Sequence, residues 1–175
     1  VQDVTANGFL ELNTTAAKAT GSNPRFLNGT TSTSQPTNTV FNVNHYSGST
    51  TNASNNSDTY IAYCFHSVEG FSRFGSYTGN GNADGTFVYT GFRPAFIIVK
   101  NASASNSWRL WDSARNEFNL TNKYLSPDSS GAEGSININV DFLSNGFKLR
   151  GSNASINGNG NNMIYMAFGD SFKYA

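Results

Sequence analysis

Thr86-Phe87-Val88-Tyr89-Thr90-Gly91-Phe92-Arg93-Pro94-Ala95-Phe96-Ile97-Ile98-Val99-Lys100 decides the fold class. Two runs within it, residues 86–90 and 95–100, are rich in aromatic and β-branched types, which suit a pleated, half-buried surface. The Asp84-Gly85 pair in front of them supplies positive φ cheaply, as tight β-turns need. Working outward, the same signature recurs at residues 40–46, 59–65, 107–111, 147–150 and 163–168, and more weakly at 9–12. Turn pairs punctuate the chain between them: Asn7-Gly8, Asn28-Gly29, Gly79-Asn80-Gly81, Asn145-Gly146 and Asn157-Gly158-Asn159-Gly160. Helical periodicity is hard to find. Many short strands joined by Gly/Asn turns predict an all-β fold, an antiparallel β-sandwich of jelly-roll-like form. Residues 21–38 are mostly Ser, Thr, Asn and Pro and read as a long surface loop. Residues 112–124 read as holding one helical turn, capped by Asp112 or Ser113.

Composition narrows the function. Of 175 residues, 13% are charged, and eleven basic residues balance eleven acidic ones. A chain without a basic cluster is not built for nucleic acid, whose binding rests on Lys and Arg. No apolar run approaches the roughly 18 residues of a membrane-spanning helix. The opening Val1-Gln2-Asp3-Val4 lacks the basic-then-apolar order of a signal peptide. Cys64 is the single cysteine, so an internal disulfide framework and a multi-cysteine zinc site are excluded. Fourteen Phe, eight Tyr and two Trp distinguish the chain from a disordered polar one.

An internal repeat is visible. Asn52-Ala53-Ser54 precedes Tyr60-Ile61-Ala62-Tyr63-Cys64-Phe65, and Asn153-Ala154-Ser155 precedes Met163-Ile164-Tyr165-Met166-Ala167-Phe168. Residues 8–72 thus resemble residues 122–175. The expected organisation is about one and a half repeats: a partial first repeat over 1–72, with the Ser/Thr/Asn-rich loop at about 21–38, and a complete second one over 73–175. Such a chain is either a fragment of a longer polypeptide or completes its sheet against another segment, because half a sandwich leaves bare strand edges.

The chain also resembles a known family. The residues that carry the resemblance are 58–81, which open Asp58-Thr59-Tyr60-Ile61-Ala62-Tyr63-Cys64-Phe65, then Phe87 to Phe96, then Asp141-Phe142-Leu143-Ser144-Asn145-Gly146-Phe147-Lys148-Leu149-Arg150-Gly151, then Met163 to Phe168. They are similar to a tandem-repeat β domain of unassigned function in tail-fibre and appendage proteins of tailed bacteriophages, especially aquatic and marine ones. The resemblance runs from about Phe9 to Tyr174. It implies a structural protein on the virion surface, in a tail fibre or a capsid-surface fibre. It further implies homo-oligomerisation, as a trimer, with strand exchange or filament formation as variants, and contact with other virion proteins. It carries over no catalytic residue. No enzyme activity, cofactor, nucleic-acid partner or membrane insertion is expected.

Several constellations bear on chemistry. At period 2, Cys64 and His66 share a strand face, but neighbours two apart stand roughly 6.5–7 Å from each other, too far for the direct contact a Cys–His pair needs; Cys64 reads as a small core residue. The carboxylates Asp112, Glu117, Asp128, Glu133 and Asp141 lie in or near loops and supply chance pairs for a polysaccharide depolymerase, the third functional reading. Asn80-Gly81-Asn82-Ala83-Asp84-Gly85 mimics the start of a calcium loop, but Gly91 stands where a bidentate Glu belongs, so a hairpin turn is the better reading and no metal is assigned. Asn-x-Ser/Thr triplets at Asn13, Asn28, Asn52, Asn55, Asn101, Asn119 and Asn153 follow from composition. In Trp108-Arg109-Leu110-Trp111 one tryptophan is expected in the core and the other either packed at a subunit interface or displayed beside Arg109 to stack on a sugar ring. The alternative to pure scaffolding is therefore a carbohydrate-binding module for host surface polysaccharide, with Trp111, Arg109, Tyr89 and Asp112 as its site.

Overall fold

The computed structural model describes residues 8–20, 39, 61–116, 118–135 and 137–170. The chain divides into two compact units. One comprises Val1, Glu11–Ala17 and Phe65–Ala175; the other comprises Gln2–Leu10 and Lys18–Cys64. In the second unit, β1 (Gly8–Phe9) pairs antiparallel with β2 (Ala19–Thr20). The expected strand at 40–46, the loop at 21–38 and most of the first repeat lie outside the described residues.

The first unit is an antiparallel β-sandwich. Its strands are β3 (Ser72–Thr78), β4 (Phe87–Tyr89), β5 (Pro94–Asn101), β6 (Arg109–Asp112), β7 (Val140–Leu143), β8 (Gly146–Leu149) and β9 (Asn162–Gly169). One sheet has the order β3-β9-β5-β6 and the other β4-β8-β7. A single helical turn, α1 (Ala154–Asn157), precedes β9, and the Asn153 side chain caps it by accepting from the Ser155 N–H. All the pairings are antiparallel.

Alternation puts Tyr77, Ile97, Val99, Trp111, Met163, Tyr165 and Ala167 on the inner face of the four-stranded sheet. They meet Val88, Val140, Phe142, Phe147 and Leu149 of the three-stranded sheet, with Ile138 and Ile156 filling in from the connections. Gly75 pairs with Tyr165 across β3 and β9, and a methyl group there would lie 3.0 Å from the tyrosine ring. The bare backbone makes room for the ring.

The outer face of the four-stranded sheet carries an apolar patch, flanked by Ser72, Ser76, Thr78, Asn162, Lys100 and Asp112. The registers bring Phe74, Phe96, Ile98, Leu110, Ile164, Met166 and Phe168 to that side. Phe168 is the hub of an aromatic cluster, with Phe65, Phe71, Phe74 and Phe96 at ring-centroid distances of 5.5–6.2 Å. At the other end of the face the segment Glu11–Ala17 is fastened down. Lys100 Nζ, fully buried, donates to the carbonyls of Thr15, Asn101 and Ala104, and Trp108 Nε1 donates to the Glu11 carbonyl at 2.9 Å. Burial lowers the Lys100 pKa, while the Asp128 charge opposes that shift.

Some expectations need correction. Ile61 to Phe65 form no strand, and Ile61, Tyr63 and Phe65 are 81%, 79% and 58% exposed, so β-propensity there is not matched by a burying surface. Cys64 is exposed, not a core residue. Residues 112–124 hold a turn rather than a helix. Asp112 does cap it, accepting from the N–H groups of Ala114 and Arg115. Strands β3 and β7 escaped the sequence reading. The first is diluted by Ser72, Gly75 and Ser76, and the second has only four residues, with the buried Asp141 among them.

Candidate functional site

The four residues expected to bind a sugar are not brought together. Trp111 pairs with Ile97 in β6, is fully buried, and donates through Nε1 to the Ile138 carbonyl, so its ring is closed to any ligand. Trp108 is also buried. The displayed tryptophan is therefore a misreading: Trp108 precedes β6, and both indoles find carbonyl acceptors inside the unit, as buried indoles require. Arg109 lies 4.8 Å over the Tyr124 ring and donates to Ser126 and Ser155. Asp112 holds Arg115 through its second oxygen at 2.5 Å, and Arg115 in turn reaches Glu133 at 2.8 Å. These are structural contacts on the β6 edge of one sheet. Tyr89 stands alone on β4, an edge strand of the other sheet.

The remaining polar groups are tied in the same way. Asp128 accepts from the Trp108 N–H, and Asp141 pairs with Arg150 at 2.5 Å. Glu117 is outside the described residues. Asp84 is bound by Lys148 at 2.8 Å and faces Arg150 at 3.7 Å, and the hydrogen bond and charge of Lys148 hold its carboxyl below the usual value. In the loop resembling a calcium site, Asn80 Oδ1 accepts from the Asn82 N–H and from Asn157 Nδ2. The fully buried Asn157 also donates to the carbonyls of Asn82 and Gly151. Its amide occupies the place an ion would take, and the segment is a braced turn. Among the described residues no cluster of three His, Cys, Asp or Glu side chains could hold a metal.

What does face solvent with a shaped surface is the neighbourhood of Tyr89. Alternation in β4 sends Val88 inward and Phe87 and Tyr89 outward, 43% and 60% exposed. The Phe87 ring leans over Gly146, where a methyl group would come within 3.0 Å of it. The Tyr89 ring leans over Gly91, whose φ of +88° turns the chain back, with the phenol 3.6–3.9 Å from where a Cβ would sit. Each ring thus has an edge close to a glycine, where any larger residue would crowd Phe87 and touch Tyr89. Beside Tyr89 opens a groove of about 480 Å3 lined by Ser67, Glu69, Arg73 and Thr90, among others. One wall is the turn at 68–72, closed by reciprocal backbone bonds between Val68 and Ser72 and by the positive φ of Gly70. The other is fixed by the Asn145 carbonyl, which accepts from the N–H groups of Thr90 and Gly91.

Sequence reading found Tyr89 and missed Phe87, Glu69 and Arg73. The signal for Phe87 was present: it shares the outward phase of Tyr89 in a three-residue strand whose middle residue is the core valine. Glu69 and Arg73 sit in a turn and the start of an unrecognised strand, so nothing local marked them. No match is found among curated proteins or among solved structures. Residues 2–171 match the family described as a domain of unknown function, DUF7483, and the chain belongs to that family.

Proposed function

We propose that the chain is a structural module of a phage virion appendage, a tail fibre or capsid-surface fibre, that packs against copies of itself and displays a host-facing surface. The observation that carries this reading is the four-stranded sheet, which carries an apolar patch on its outer face as well as the core on its inner one. An antiparallel sheet with one wet side alternates apolar and polar residues. Here Phe96, Ile98, Leu110 and Met166 stand, half-buried, on the side away from the sandwich core, between the Phe65 cluster and the Glu11–Ala17 segment. A sheet of this kind is a middle layer that needs material on both sides. Further copies of the chain supply it in a closed, symmetric assembly, and the family resemblance implies that this assembly is a trimer. The family resemblance over residues 9–174 supplies the virion context, and the low charge and abundant Asn, Ser and Thr fit a surface exposed on a particle.

Sedimentation velocity tests the proposal. The expected result is a trimer or larger closed particle, reduced to monomer in Ile98→Ser/Met166→Ser with the β spectrum retained. A monomer for the unaltered chain at every concentration overturns the reading, because the outer face would then be covered from within.

A further inference from the structure

We propose that Phe87, Tyr89 and the adjoining groove form a binding site for a neutral saccharide chain. The inference goes beyond the structural role and does not depend on it.

The rings are the first argument. Phe87 and Tyr89 are both exposed on the outer face of an edge strand, and Gly146 and Gly91 leave the space beside their rings free of any neighbouring side chain. An exposed aromatic ring offers its negative π face to whatever approaches. The weakly positive C–H face of a pyranose matches that surface, and residues at i and i+2, roughly 6.5–7 Å apart along the strand, offer two such contacts to an extended chain. The polar neighbours are the second argument. Glu69 accepts and Arg73 donates, both from exposed positions at the groove, and their charges cancel. A polyol uses both. An anionic or cationic polymer gains one partner and meets one like charge, so the site favours a neutral chain. The third argument is rigidity. Thr90 is locked by its hydroxyl donating to the Phe92 carbonyl, and the Thr90 and Gly91 amides are held by Asn145, so the platform is formed before a ligand arrives. A peptide is a poorer occupant, because β4 has only three residues and offers too short a ladder for strand addition.

The test is a titration of the full chain with soluble neutral oligosaccharides (maltoheptaose, cellohexaose, laminarihexaose, mannohexaose), with polygalacturonate as the anionic control, read by calorimetry and by saturation-transfer NMR. The expected result is saturable binding of at least one neutral chain, with transfer from aromatic protons and no comparable binding of polygalacturonate. Tyr89→Ala and Phe87→Ala should each weaken binding by about tenfold, and Tyr89→Phe by much less, with the β spectrum retained in every variant and the melting temperature of the Tyr89 variants unchanged because that ring is 60% exposed. No binding across the neutral panel overturns the proposal. So does binding that survives both alanine variants, or preference for the polyanion. Particle mass, measured in the same samples, reports on self-association independently.

Discussion

Tyr77 ends the inner row of β3 with its hydroxyl donating to the Ile156 carbonyl, deep among Phe147 and Tyr165. Burial raises its pKa far above the ordinary 10.0, and burial raises that of Tyr165 as well, with the Arg73 charge pulling the other way. The sign of the consequence follows from linkage. Above pH 10 the unfolded chain releases these phenol protons while the folded one keeps them, so the stability they support is intact below about pH 10 and falls as pH rises further. Lys100 works in the opposite sense. Its folded pKa is lowered, so the penalty of burying its ammonium is relieved as pH climbs towards 10.5. Comparing Tyr77→Phe with the unaltered chain at each pH isolates the phenol. The variant should lose about 1–2 kcal/mol at pH 7, from the unsatisfied Ile156 carbonyl, and show a shallower decline between pH 10 and 12 in urea melts. Equal slopes would show that Tyr77 does not stay protonated. Such roles are illegible in sequence. An aromatic residue in a short strand reads the same whether its ring is in the core, like Trp111, or in solvent, like Tyr89.

At the scale of elements, legibility followed composition. Strands β4, β5 and β9 are dense in β-branched and aromatic residues, β6 and β8 each hold one aromatic, and the sequence marks all five within a residue or two. Strand β3 was hidden because its partner β9 supplies the bulk, as Tyr165 does over Gly75, so β3 itself needs only small residues. Ile61 to Phe65 have the composition of a strand and pair with no strand among the described residues. The Glu11–Ala17 segment makes the same point about long-range contacts, for nothing local says that it lies beside Lys100 and Trp108. The ammonium of Lys100 is the main tie. Lys100→Met removes it and leaves the Thr15 and Ala104 carbonyls without their donor, but also removes the cost of a buried charge. The two effects offset, so global stability should change by less than about 2 kcal/mol while residues 11–17 lose protection in hydrogen-exchange mass spectrometry. Unchanged protection would mean that the Trp108–Glu11 bond holds the segment alone.

The whole molecule combines a weakly charged exterior with a sheet that carries apolar residues on both sides, and the two together decide what force drives assembly. Eleven positive and eleven negative charges leave no net field to attract or repel another copy. Among the described residues the ion pairs, Arg115 with Asp112 and Glu133, and Lys148 and Arg150 with Asp84 and Asp141, are satisfied within the chain. Association through Phe96, Ile98, Leu110 and Met166 is then hydrophobic. Salt screens contacts between exposed charges within a Debye length of about 3 Å at molar concentration, and leaves buried apolar area untouched. Sulfate, excluded from protein surface, strengthens burial. The dissociation concentration measured by sedimentation should therefore be nearly the same in dilute buffer and in roughly molar sodium chloride, and should fall in ammonium sulfate. Oligomers that came apart in sodium chloride would place the contact on charged residues elsewhere on the surface and leave the outer sheet face without its proposed role.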